Sequence, residues 1–196
     1  MDPVPYAGPS VTYLDPDGDL RLEVGPERTA FMVDSRALAR ASLVWKRMLF
    51  GGFAESRPAN GPWVVSFPED EPQALRLLLA IIHADFSTFK TPSSLDELFS
   101  LTVTTNKYDI SHVLKPWALD WAMKSRTFPL SGNTTLEACV LKIWISWELG
   151  RPDMFKEYVQ ELLLVVKVNE DGTLVDESGK PLEQNEFISS IGILGM

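Results

Sequence analysis

From Asp19 the chain alternates: Leu20, Leu22 and Val24 fall on one side of an extended backbone, and Asp19, Arg21 and Glu23 on the other. That period of two predicts a half-buried strand. Gly25-Pro26 ends it, Glu27-Arg28 turns the chain, and Thr29 to Val33 makes a second strand, so a β-hairpin is expected. The period then changes to that of a helix. Asp34 or Ser35 offers an N-cap oxygen, and Leu38, Ala41, Ser42 and Trp45 follow at helical spacing, predicting a helix that breaks near Ser42, runs to Leu49 and stops at Gly51-Gly52. Ser56 to Pro62 is a loop by its Pro, Gly and Asn content, and Trp63, Val65 and Phe67 alternate as a third strand.

Glu69-Asp70-Glu71-Pro72 places acids and a proline where a helix starts, explained by capping and the positive end of the helix dipole. Leu75, Leu78, Leu79 and Ile82 then form a core-facing stripe. The same spacing recurs at Leu95, Leu98, Phe99 and Thr102, and again at Leu114, Trp117, Ala118 and Trp121, where Pro116 belongs to an early turn or a kink. Thr127 to Asn133 is expected to be a linker, with Thr134 or Thr135 capping the next helix. That helix, Leu136 to Leu149, is apolar on nearly every side and belongs in a core or against a partner. Gly150 ends it, Pro152 opens another with Phe155, Tyr158, Val159 and Leu162 on its apolar side, and Val165 to Val175 is expected to close as a small hairpin before a second turn at Ser178-Gly179. Runs of strands and helices in this order define an α+β fold.

Composition narrows the functions. Eighteen Lys and Arg against 27 Asp and Glu give a net charge of −9, which repels a phosphate backbone and argues against nucleic acid. The chain has no apolar run of membrane-spanning length, so no membrane association is expected. One cysteine, Cys139, forms no intramolecular disulfide, and the N-terminus lacks a secretory pattern; the expectation is an intracellular protein of the cytoplasm or nucleus. The first ten residues carry three prolines and no periodicity, so residues 1–11 are expected to be a disordered arm.

Catalytic and metal chemistry is not indicated. His83 and His112 lack a neighbouring nucleophile or carboxylate pattern, and one Cys with two His does not complete a zinc site. Gly51-Gly52 is not followed by the Lys-Ser/Thr of a phosphate loop, and burial in an apolar helix raises rather than lowers a thiol pKa at Cys139. We therefore expect no enzyme, no metal and no cofactor, and set aside an enzyme using carboxylates such as Asp34 and Glu55.

The order and spacing of several runs resemble the BTB/POZ domain, in particular its filamentous-fungal type. They are Gly18-Asp19-Leu20-Arg21-Leu22-Glu23-Val24, Phe31-Met32-Val33-Asp34-Ser35-Arg36-Ala37-Leu38, Ala41-Ser42-Leu43-Val44-Trp45-Lys46-Arg47-Met48-Leu49, Phe67-Pro68-Glu69-Asp70, Leu79-Ala80-Ile81-Ile82-His83 and Lys107-Tyr108-Asp109-Ile110. The resemblance implies a short mixed sheet flanking a helical cluster over residues 12–126, with residues 127–196 as a helical extension ending in an acidic hairpin. It implies protein–protein association and not catalysis. Asp34 stands where many animal members have His, as is common in the fungal type, and Pro16 and Gly18 interrupt the segment that animal dimers exchange.

BTB adaptors of cullin-RING ubiquitin ligases use an apolar-x-Glu motif after the second helix, and Phe53-Ala54-Glu55 stands in the matching place. The resemblance thus implies contact of Phe53 and Glu55 with a cullin. Helices following the domain extend that contact in such adaptors, and Trp144 and Trp147, at i and i+3 on one helix, are the candidates here; the other reading buries both against the body of the protein. Two functions follow: an adaptor linking a substrate to a cullin-RING ligase, or a homo- or hetero-oligomerising scaffold, in transcriptional regulation for example, with another BTB protein or a second copy as partner.

Charge by segment sharpens the picture. From Asn169 onward six acids, Glu170, Asp171, Asp176, Glu177, Glu183 and Glu186, face Lys180 alone, so the tail holds −5 and the rest only −4. The tail is either a solvated hairpin or a docking site for a basic partner.

Overall fold

A computed structural model describes residues 10–87, 89–128, 135–176 and 178–192. Most of the expected N-terminal arm and the Pro129–Thr134 part of the linker and its cap lie outside the described residues, as does Glu177. The described chain is mixed α+β, with a small mixed sheet and eight α-helices. It divides into two compact units, Met1–Thr91 with Val103–Val113, and Pro92–Thr102 with Leu114–Met196.

In the first unit, β1 (Val11–Tyr13), β2 (Leu20–Val24) and β3 (Thr29–Val33) precede α1 (Ser35–Ala41) and α2 (Leu43–Phe50), then come β4 (Val64–Phe67) and α3 (Pro72–Ile82). Strand order is β1-β3-β2-β4; β2 and β3 are antiparallel with Leu22 opposite Phe31, whereas β1 joins β3 and β4 joins β2 in parallel. The predicted alternation sets the faces: Leu20, Leu22 and Val24 are buried, and Arg21 and Glu23 form an ion pair at 3.2 Å on the other side. Gly25 has φ +72°, and a side chain there would meet Pro72 at 2.9 Å, so glycine serves both the turn and the approach of α3. The sequence pattern does not predict β1; the strand is three residues long and ends before Pro16, which has no N–H to continue a ladder.

The break at Ser42 is real and local. Its backbone is extended, ending α1, while its Oγ accepts the Trp45 N–H at 3.0 Å and so caps α2. Asp34 caps α1 through the Arg36 N–H at 2.8 Å, and Glu71 caps α3 through the Ala74 N–H at 2.6 Å with Pro72 in the first turn.

α4 (Leu95–Lys107) contributes to both units. Its start is a reciprocal cap: Ser94 Oγ accepts the Glu97 N–H at 3.1 Å, and Glu97 accepts the Ser93 N–H at 2.8 Å. In the second unit, α5 spans Ala118–Ser125, later than the Leu114–Trp121 stripe suggests. Pro116 disfavours helical backbone at the residue before it, and a 3-10 turn, Ser111–Leu114, occupies the approach. α6 (Thr135–Glu148) and α7 (Pro152–Val165) pack on one another, burying Ile143 and Ile145 of the first and Met154, Tyr158 and Leu162 of the second. A hairpin of β5 (Lys167–Val168) and β6 (Leu174–Val175) follows. The chain then forms α8 (Glu186–Ile191), a helix the sequence pattern does not predict, capped by Asn185 and ended by Gly192 at φ +72°.

Candidate protein-binding surface

Phe53 sits on the loop that leaves α2. Gly51 N–H closes the helix on Arg47 O at 2.7 Å, and a Cβ on Gly51 would stand 2.2 Å from that oxygen and 3.0 Å from the Phe53 ring. Ser56 then folds the loop back: its Oγ donates to Met48 O at 3.1 Å and accepts the Gly52 N–H at 3.0 Å, while its N–H donates to Phe53 O at 3.0 Å. The triplet Phe53-Ala54-Glu55 is thereby held as a tight turn against the helix end. Phe53 is 61% exposed. Glu55 is half-buried, and its backbone carbonyl accepts the Trp63 indole N–H at 2.8 Å.

Trp63 is the strut beneath this loop. It is buried, takes the Phe50 ring edge-on at 5.8 Å, and carries the Arg57 guanidinium over its face at 5.8 Å. Arg57 also reaches Asp19 at 3.7 Å, and Asp19 in turn accepts the Ser35 N–H at 2.9 Å and hydroxyl at 3.0 Å. An exposed aromatic on an ordered support loses little conformational freedom on binding, which suits an interface anchor.

The two tryptophans of α6 have different surroundings. Trp144 is 6% exposed and packs edge-on against Phe99 at 6.4 Å and Phe187 at 5.1 Å. It is therefore a core residue, with Phe187 of α8 packed against it. Trp147 is 51% exposed and rests against Phe155 at 5.6 Å. Of the four sequence candidates, Phe53 and Glu55 share one turn and Trp147 presents a surface, while Trp144 does not.

Asp70 differs from its acidic neighbours. It is buried and accepts hydrogen bonds from Lys107 Nζ and the Tyr108 hydroxyl. Burial, reinforced by the Asp70 carboxylate, pushes the Tyr108 phenol well above its ordinary pKa. The Tyr108 ring lies between Trp45 at 4.7 Å and Phe67 at 5.8 Å, and its carbonyl accepts the Ser42 hydroxyl at 2.7 Å. His83 is likewise structural: Nε2 accepts the Asp34 N–H at 3.0 Å, so Nδ1 carries the proton that goes to Leu79 O at 2.9 Å. Cys139 is buried, and desolvation raises its thiol pKa.

Among the described residues no three His, Cys, Asp or Glu side chains gather to hold a metal, and no helix is long and apolar enough to cross a membrane. No family model matches the chain, and no curated protein matches it.

Proposed function

We propose that this chain is a non-enzymatic protein–protein interaction module of the BTB/POZ type, acting as an adaptor that links a substrate to a cullin-RING ubiquitin ligase. The observation that carries the reading is Phe53, an aromatic with most of its surface in solvent on a loop pinned by Ser56 and Trp63. Support for the family comes from the order of elements, a hairpin, two short helices, a strand and further helices, together with the residue runs that resemble it. Glu55, two residues on, supplies a carboxylate for a basic group at the rim of a partner pocket.

The test is capture of a cullin by the purified chain. Phe53→Ala combined with Glu55→Lys is expected to abolish capture while leaving the melting temperature nearly unchanged, because neither side chain is buried. Retained capture would overturn the cullin reading.

A second reading, a homo- or hetero-oligomerising scaffold without cullin binding, is favoured by the end of α7. Leu163, Leu164 and Val168 are 56%, 86% and 64% exposed within six residues of chain. Sedimentation at micromolar concentration tests its homo-oligomeric form, which a clean monomer removes.

A further inference from the structure

The outer face of α2 combines exposed apolar groups with uncompensated cations. Residues 34–57 carry Arg36, Arg40, Lys46, Arg47 and Arg57 against Asp34 and Glu55, a local +3 in a chain of −9, with Arg40 paired to Asp34 and Arg57 to Asp19. Leu43, Lys46, Arg47 and Phe50 stand at i, i+3, i+4 and i+7, hence on one side of the helix, opposite the buried Trp45 and Leu49. All four are exposed, Leu43 by 63% and Phe50 by 51%. Beyond Phe50, whose ring meets the buried Trp63 edge-on, the chain turns at Gly51-Gly52 to the exposed Phe53. Among the described residues neither Lys46 nor Arg47 takes part in an ion pair.

Phe50 packs partly on Trp63, but the 63% exposed Leu43 gains nothing from facing water. A face for a polyanion would need more than two uncompensated cations, and aliphatic Leu43 and Val44 offer nothing to a phosphate or a lipid headgroup. The net charge of −9 opposes both. What matches alternating apolar and cationic positions along a helix is a second helix with the opposite pattern. Leu43 and Phe50 are two turns apart, about 10 Å along the axis, the repeat of apolar positions on such a helix.

We propose that the outer face of α2, with the Phe53 loop, docks an acidic amphipathic helix of a partner protein, its apolar side on Leu43, Phe50 and Phe53 and its carboxylates on Lys46 and Arg47. This rests on the reading of the chain as a protein-binding module and adds the chemistry of the partner. It does not require the partner to be a cullin.

The probe is a fluorescein-labelled synthetic peptide about five turns long, with Leu along one face and Glu on the others. Controls are the same peptide with Lys in place of Glu, a single-stranded oligonucleotide and phosphatidylserine vesicles. Anisotropy titration is expected to show micromolar binding of the acidic peptide, none of the basic one, and weakening of several-fold as salt rises from low to high. Lys46→Glu with Arg47→Glu is expected to weaken binding by about tenfold or more, and Phe50→Ser by a similar factor. If the double reversal does not fold, Lys46→Gln with Arg47→Gln reads the same contact without repulsion.

Equal binding of the acidic and basic peptides, an unchanged Kd in the charge variants, or tighter binding of the oligonucleotide or vesicles overturns the proposal. So does self-association in sedimentation that the charge reversal abolishes, which would assign the face to a second copy. Cullin capture lost on Phe53→Ala with Glu55→Lys, but peptide binding unmoved by the charge reversal, defeats the acidic-helix proposal alone. Capture that survives, with peptide binding lost on reversal, defeats the cullin reading alone.

Discussion

The Tyr108 hydroxyl donates to the Asp70 carboxylate across 38 residues of sequence, in a site where both residues are buried. Lys107 neutralises the same carboxylate, so a charge that would be prohibitive alone is compensated by a cation and a phenol. Tyr108→Phe leaves Asp70 one partner short. A loss of about 1–3 kcal/mol is expected from urea unfolding at pH 7. Asp70→Ala should cost at least as much, since it leaves the buried Tyr108 hydroxyl without its acceptor.

The same contact has a pH signature. The folded state holds the Tyr108 proton above the ordinary tyrosine value of 10.0, whereas the unfolded chain releases it there. Above that pH the folded state binds more protons than the unfolded one, so stability falls as pH rises. Its contribution is fully present below pH 10. Comparing unfolding of the wild type and Tyr108→Phe at pH 8 and above pH 10 isolates it: the difference between the two should shrink in alkali. A constant difference would remove the linkage.

Ser42 serves two elements at once. Its hydroxyl caps α2 through the Trp45 N–H and donates to the Tyr108 carbonyl, and its residue is only 2% exposed. Ser42→Ala removes both bonds and is expected to destabilise by about 1–2 kcal/mol. Ser42→Thr keeps the oxygen and should recover much of that in thermal unfolding.

These cases also show what a linear reading reaches. The alternation of Leu20, Leu22 and Val24, the caps at Asp34 and Glu71 with Pro72, and the break at Ser42 are all set by neighbours within a few residues, and all are legible. Asp70 looks like one more capping acid because its partners lie 37 and 38 residues away. α8 carries local signals, Asn185 and Gly192, but six residues make no periodic stripe, and its place depends on Phe187 meeting Phe99 and Trp144. On α2 the limit is different. Leu43 and Trp45 are both apolar, and periodicity alone does not say that one faces solvent and the other the core. That Leu43, Lys46, Arg47 and Phe50 share an exposed side of α2 needed the structure.

Trp144 and Trp147 are three residues apart on α6 and should respond very differently to truncation. Trp144 fills a cluster with Phe99 and Phe187, so Trp144→Ala is expected to cost about 3–5 kcal/mol. Trp147 is half in solvent and leans on Phe155, so Trp147→Ala should cost less than about 1 kcal/mol. Denaturant midpoints of the two variants give the comparison. Equal losses would mean that α8 does not cover Trp144 in solution.

The acidic tail is partly an architectural device, and Asp176 tests how far. Its Oδ1 accepts the Ser178 N–H at 2.8 Å, the Ser178 hydroxyl at 2.6 Å and the Lys180 N–H at 2.9 Å, closing the turn that brings Pro181 beside Val175. The hydrogen bond from Ser178, followed by that from the Lys180 backbone, holds the Asp176 carboxyl below its ordinary value. A depressed carboxyl contributes order above its unfolded pKa of about 3.8 and loses it as pH falls through the lower folded value. The turn should therefore persist at neutral pH and loosen in strong acid. Asp176→Asn keeps an acceptor oxygen and is expected to preserve the turn with one charge fewer, while Asp176→Ala opens it. Amide chemical shifts of Ser178 and Lys180 report the outcome. If Asn and Ala behave alike, the carboxylate charge and not the acceptor geometry shapes this segment, and the tail is better regarded as charge held ready for a basic partner.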